Sequence, residues 1–262
     1  MKKITLLLAA VLVCCFVYAP LAGAAPVNNK QAVLTQARQS YYNMKGKGFT
    51  GFQCTLTPDW EQLLKPERQQ NPEGADAAIQ KLRQLHFIVT LADDGSVTLT
   101  HNELAVDNQQ MQDALKQIYG GMEQMTTGFF ATWELFTFGP PFPEDDIEFQ
   151  LEANGPQYVL TYADGSTNLE TTMGKDFSIS NLKVTTPQYT SSIQPSFSAG
   201  PDGFLLNAYT QEPGGTTHLK VLMDYQDIQG LKILNHVNLS GTDDGSPFTV
   251  NLTFSDCTVT KK

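Results

Sequence analysis

The sequence predicts a mainly β domain of the α+β class: an incomplete antiparallel β-barrel, or strongly curved sheet, with a helical lid. Three observations predict it. From Ile147 onward, short β-prone runs are punctuated by Asn154-Gly155, Asp164-Gly165, Pro201-Asp202-Gly203, Gly214-Gly215 and Asp244-Gly245. Asn-Gly and Asp-Gly pairs supply the left-handed backbone that tight hairpins need. One long apolar helical stripe precedes these runs. Only 17% of residues are charged, below the usual ~25%; Thr, Ser, Asn and Gln carry the polar load instead, which suits sheets with one wet face.

Residues 1–24 read as a secretory signal peptide. Lys2 and Lys3 precede an apolar run from Ile4 to Tyr18, and Ala22-Gly23-Ala24 makes a small-residue cleavage site. Residues 25–262 are then a single domain. The run is short for a membrane span and has no stop-transfer flank. Removing the two lysines takes the net charge from −10 to −12. That balance excludes a nucleic-acid binder, which needs surplus Lys and Arg to displace counterions.

The elements follow in order. Residues 28–45 form a helix, with Val33, Ala37, Tyr41 and Met44 on one stripe and Lys30, Arg38 and Lys45 along its flank. No Asp or Glu precedes Asp59, so this arm is basic on an acidic protein. It either docks an anionic membrane or partner or neutralises the body beneath it. Gly46 and Gly48 end the helix. Phe49–Thr57 is a strand with Phe52, Cys54 and Leu56 on one face. Pro58-Asp59-Trp60 opens a short helix through Leu64, Pro66–Gly74 is a polar loop, and Ala75–Leu85 is a helix. Strands His86–Ala92 and Val97–Thr100 are joined by Asp93-Asp94-Gly95-Ser96.

The next helix carries Met111, Leu115, Ile118, Met122, Met125, Phe129, Trp133 and Phe136 at spacings of three and four. Asp107 is its N-cap, Gly120-Gly121 is a place to kink, and Gly139-Pro140-Pro141 stops it. A stripe of Met and aromatics adapts to movable apolar ligands; the plainer reading is core. Nine strands follow: 147–153, 157–162, 167–172, 178–185, 189–199, 203–211, 217–225, 231–240 and 247–259. Alternation is cleanest in Leu219, Val221, Met223 and Tyr225, then in Phe248, Val250, Leu252 and Phe254.

Catalytic and metal motifs are lacking. There is no nucleophile elbow, no phosphate loop, and no His or Cys pair at zinc spacing among His86, His101, His218 and His236. Glu144-Asp145-Asp146 reads as a solvated loop, and the Asp-Gly-Ser repeats as turns. Asn238-Leu239-Ser240 and Asn251-Leu252-Thr253 match the glycosylation pattern but sit within strands. Cys14 and Cys15 fall in the signal. Cys54 and Cys257 remain, as a disulfide suited to an oxidising compartment or as two buried thiols.

The segment Asp224-Tyr225-Gln226-Asp227-Ile228-Gln229-Gly230-Leu231-Lys232-Ile233-Leu234-Asn235-His236-Val237 joins two strands through a glycine five residues after a tyrosine. An Asp-Gly hairpin and a last strand ending Phe254-Ser255-Asp256-Cys257-Thr258-Val259 follow. This closing segment, with the order signal, helix, strands, long helix and hairpins, resembles the LolA/LolB-like outer-membrane lipoprotein-sorting fold. The family's proline after the glycine is Leu234 or a neighbour here, and its basic cavity residue has no match. The resemblance implies a half-barrel whose concavity shields acyl chains.

On this reading the protein is a soluble, monomeric periplasmic carrier of an acyl-chain lipid or lipoprotein, without catalysis, metal or cofactor. It exchanges cargo with an envelope protein or an anionic membrane at Lys30, Arg38 and Lys45. The cavity and lid residues are Phe52, Leu56, Met122, Met125, Phe129, Trp133, Phe136, Val221, Met223, Tyr225, Phe248, Val250, Leu252 and Phe254. The alternative is a non-catalytic structural or interaction protein of the envelope with the same fold and a packed core.

Overall fold

The computed structural model of the protein describes residues 25–262 apart from 107, 214–217 and 244. The expected signal peptide, Cys14 and Cys15, the Asp107 cap, and Gly214, Gly215 and Asp244 lie outside the described residues. The strands are β1 (Ala25–Pro26), β2 (Phe49–Pro58), β3 (Phe87–Ala92), β4 (Val97–His101), β5 (Phe149–Asn154), β6 (Gln157–Asp164), β7 (Thr167–Gly174), β8 (Ile179–Thr185), β9 (Thr190–Gly200), β10 (Gly203–Pro213), β11 (His218–Ile228), β12 (Leu231–Asp243) and β13 (Ser246–Lys261). The helices are α1 (Lys30–Gln39), α2 (Trp60–Leu63), α3 (Lys65–Gln70), α4 (Pro72–Leu82) and α5 (Gln109–Thr137).

Among the described residues the strands make one 13-stranded sheet in the order β1-β5-β6-β7-β8-β9-β10-β11-β12-β13-β2-β3-β4. Every pairing is antiparallel. From β5 to β13 each strand pairs with the next, as expected of hairpin turns set 8–12 residues apart. The long-range step is β13 on β2, with Phe254 opposite Leu56 and Thr258 opposite Gln53. The sheet is not closed, because β1 and β4 are free edges. Helix α5 touches both β10 and β4, six places apart in the strand order, so the sheet curves around it.

The β2–β13 seam carries a disulfide. Register shifts between Ser255 and Thr258, where Asp256 adopts a φ of 50°, and this bulge sets Cys257 against Cys54. The Cα atoms are 4.1 Å apart and the sulfurs 2.06 Å apart, which decides between the disulfide and the free thiols.

Two helical expectations need correction. The first helix ends at Gln39 rather than Lys45. Beyond Ser40 the chain leaves the helix to pair with β10: Phe204 N donates to Ser40 O (2.7 Å) and Tyr42 N to Phe204 O (3.0 Å). Gly203 permits this approach, since a Cβ there would lie 2.6 Å from Ser40 O. Tyr41 and Tyr42 stay buried through their hydroxyls: Tyr41 Oη donates to Phe177 O (2.8 Å) and accepts from Ile179 N (2.9 Å), and Tyr42 Oη accepts from Lys232 N (2.8 Å). The expected Pro66–Gly74 loop is instead helical, as α3 and the start of α4. Its prolines occupy first-turn positions, where no N–H is missed, and Asn71 caps α4 by accepting from Gly74 N at 3.1 Å.

Helix α5 starts at Asn108, whose side chain accepts from Met111 N (2.8 Å). It runs unbroken through Gly120-Gly121 to Thr137. No described helix is long and apolar enough to cross a membrane.

Candidate functional site

The register of β10 to β13 arranges their inward side chains in rows beneath α5. Gln211, Leu219, Gly241 and Phe248 lie opposite one another in one row. Tyr209, Val221, Leu239 and Val250 form the next, and Met223, Val237 and Leu252 the third. Over the first two rows the helix stands off the sheet. The space between is a groove of about 820 Å³, roofed by Gly121, Gln124, Met125, Gly128 and Phe129 of α5 and floored by Tyr209, Gln211, Leu219, Leu239 and Phe248, with Ser246 and Pro247 at the rim. The volume falls in the ~300–1,000 Å³ range of small-ligand sites. None of the described lining residues is charged, on a protein of net charge −10.

Further along α5 the space closes. Trp133 and Phe136 are 0% exposed. Trp133 packs against Phe52 (ring centroids 6.3 Å apart) and Phe130 (5.6 Å), and Phe130 against Phe254 (6.2 Å). Trp133 Nε1 donates to Tyr225 Oη (3.0 Å), which itself donates to Leu206 O (2.6 Å). Burial pushes the Tyr225 phenol well above its ordinary pKa, so it remains a neutral donor.

The expected cavity residues therefore divide. Met125, Phe129 and Phe248 line the groove. Phe52, Leu56, Trp133, Phe136, Leu252 and Phe254 are packed interior, and Tyr225 anchors Trp133. Met122 on α5, and Val221, Met223 and Val250 beneath the helix, are buried without lining the opening. The aromatic end of the helix is thus core, not a lid. The glycines and glutamines of the opening were missed, because a glycine pair inside a helical pattern reads as a kink.

Tyr209 stands out among the lining residues. It is 1% exposed, and its Oη has no hydrogen-bond partner. Its polar neighbour is Thr132, whose hydroxyl lies close enough to act on the phenol and also reaches Gly128 O at 3.5 Å. Burial raises the phenol's pKa, so the orphaned hydroxyl keeps its proton. A buried polar group left unpaired costs about 1–3 kcal/mol.

The three flanking cations are engaged within the molecule. Lys30 Nζ donates to Phe149 O (2.6 Å) and lies 4.6 Å from that ring's centroid. Arg38 pairs with Asp145 and donates to Pro143 O. Lys45 Nζ lies 5.2 Å from the Phe138 ring. These contacts fit a neutralising flank. Another depression, of about 670 Å³, lies over β5 to β8 and is mixed in charge, with Lys30, Glu170 and Lys183 at its wall. Tyr162 there is pushed up to about 12 by burial. Among the described residues no three His, Cys, Asp or Glu side chains gather to hold a metal. No protein-family model, curated protein or solved structure matches this chain.

Proposed function

We propose that this chain is an exported, non-catalytic carrier that shields an acyl chain of a lipid or lipoprotein in a periplasmic compartment. The observation that carries the reading is the groove between the middle of α5 and the inner rows of β10 to β13, with no charge among its described lining residues. An open sheet wrapped on a helix keeps apolar surface accessible at one end while the other end holds the fold together. Surface of that kind favours an occupant of similar polarity by ~25 cal/mol per Å² removed from water. Met125 and Phe129 adapt to a flexible chain. The half-barrel likeness to LolA/LolB-like carriers belongs to the same reading, with the groove in the place of the cargo cavity.

Native mass spectrometry after mild purification tests it. The wild-type protein is expected to retain or take up one acyl lipid, and Leu219→Glu with Phe248→Glu to lose it while still folding. A wild-type protein that neither retains nor takes up lipid contradicts the proposal. The closed interior around Trp133 and Phe254 favours a second reading, an envelope interaction protein. It predicts a protein partner and no lipid.

A further inference from the structure

We propose that β4 is a docking edge for a second copy of this chain, the two β4 strands pairing antiparallel about a two-fold axis at Leu99. The inference is independent of the acyl-carrier reading, and it replaces the monomer expected from the sequence. Three observations support it.

The first is unused backbone. Among the described residues β4 pairs with β3 alone. An antiparallel ladder alternates, so every second residue turns its N–H and C=O to the same neighbour. Ala92 N donates to Ser96 O (3.1 Å) at the hairpin. With Thr90 opposite Thr98 and Ile88 opposite Thr100, the backbone groups of Thr98 and Thr100 then serve β3. Those of Val97, Leu99 and His101 face outward, and no described loop backbone bonds them. The chain after β4 turns back toward β3 rather than over the edge. Asn102 accepts from His86 N (2.7 Å) and donates to Gln84 O (3.0 Å).

The second is a difference between the two ends of the sheet. Proteins close sheet edges with short strands, prolines, lysines and bulges. At one end β1 is two residues long and holds Pro26, and Lys30 Nζ occupies Phe149 O of β5 (2.6 Å). At the other end β4 reads Val97-Thr98-Leu99-Thr100-His101, without proline, lysine or acid, and in unbroken register with β3. Head-to-tail stacking needs both ends of the sheet. With one end closed, the open edge is left to meet its like, which gives a pair that closes at two.

The third is self-complementarity. With the axis at Leu99, Leu99 meets the partner's Leu99 and Val97 meets the partner's His101. These are the residues whose backbone faces outward, so three facing pairs each exchange two hydrogen bonds. A slip by two residues loses one of the three pairs. On the exposed outer face Thr98 lies opposite the partner's Thr100, and cross-strand threonine pairs are stabilising. No like charges face each other along β4. The nearest acids, Asp94 and Glu103, fall beyond its ends. So short a seam makes a weak, concentration-dependent dimer.

Sedimentation velocity between about 5 and about 500 μM tests the inference. The wild-type protein should pass from monomer to dimer in that range. The dimer should tighten as salt is raised, because both copies carry the same net negative charge. Leu99→Pro removes an outward N–H and spares the β3 ladder, so it should stay monomeric throughout with an unchanged circular dichroism spectrum. Thr98→Lys with Thr100→Lys sets lysine against lysine twice across the axis and should weaken the dimer about tenfold. Thr98→Lys with Thr100→Glu sets opposite charges in the same places and should restore wild-type affinity or exceed it. Amide exchange followed by NMR should slow at Val97, Leu99 and His101 as concentration rises, whereas Thr98 and Thr100 are slow at every concentration. A dimer that survives Leu99→Pro, or equal affinities in the two charge variants, overturns the inference. A wild type that stays monomeric at the highest concentration also overturns it, and leaves the edge to an extended segment of another protein. None of these results bears on lipid binding, which is read separately.

Discussion

The middle and the C-terminal end of α5 follow one periodicity and do opposite things. From Phe129 to Phe138 the apolar stripe meets Phe49, Phe52 and Phe254 and leaves no space. From Gly121 to Phe129 the same helix, over the same sheet, stands above an open groove. The difference lies in what flanks the stripe. Large aromatics fill the closed end, whereas glycine, glutamine and a single methionine border the open one. A regular apolar stripe thus identifies the face a helix turns inward, and the size of the neighbouring residues decides whether that face is filled.

The largest expected effect is at the closed end. Trp133→Ala should cost about 3–5 kcal/mol in urea unfolding, as for a large aromatic removed from a core. Met125→Ala, at the half-exposed open end, should cost about 1 kcal/mol or less. Equal costs would erase the contrast. Next comes the disulfide between β2 and β13, a link remote from the groove that holds the last strand to the first long one. Cys54→Ser with Cys257→Ser should lower stability by about 2–5 kcal/mol, read by thermal melting with and without reductant. A smaller effect of opposite sign is expected at the roof. Gly121→Ala and Gly128→Ala should each stabilise by up to about 1 kcal/mol, since an added methyl meets nothing there.

The smallest effect concerns Glu134. Burial raises its carboxyl pKa, only partly offset by Lys45, and one of its oxygens is buried without a partner. Its folded pKa is therefore above the unfolded one, so the ionised form is destabilising. Wild-type stability should fall as pH rises through the ordinary glutamate range toward the raised value. Glu134→Gln should gain stability at pH 7 by no more than about 0.5 kcal/mol, given the side chain's partial exposure, and the gain should vanish below about pH 4. A gain that persists in acid would show that the charge is not its cause.

The hairpin region was legible in the sequence, because turn chemistry and alternation are local signals. Nine strands from Ile147 onward stand close to where their turns place them. The closure of β13 on β2 carried no local signal except the two cysteines, whose pairing composition alone left open. Helix ends were less legible. The stripe through Tyr41 and Met44 continues a helical spacing, yet their burial is achieved by chain that pairs with Phe204 and docks on Thr137. Pro66 and Pro72 read as loop residues because proline breaks helices, whereas both begin them here. At the site, periodicity placed Met125, Phe129 and Phe248 correctly on inward faces, but inward does not distinguish groove from core. Tyr209 had no distinguishing signal, since an orphaned hydroxyl exists only after folding.

The most direct test of the groove as the acyl-binding site is photo-crosslinking. A palmitoyl ester with a diazirine midway along its chain is bound to the wild-type protein and irradiated, and the labelled peptides are mapped by mass spectrometry. Labels on Gly121–Phe129 of α5 and around Leu219, Leu239 and Phe248, lost in Gly128→Leu, are the predicted result. Labels that fall elsewhere, or that survive unchanged in that variant, would contradict the account.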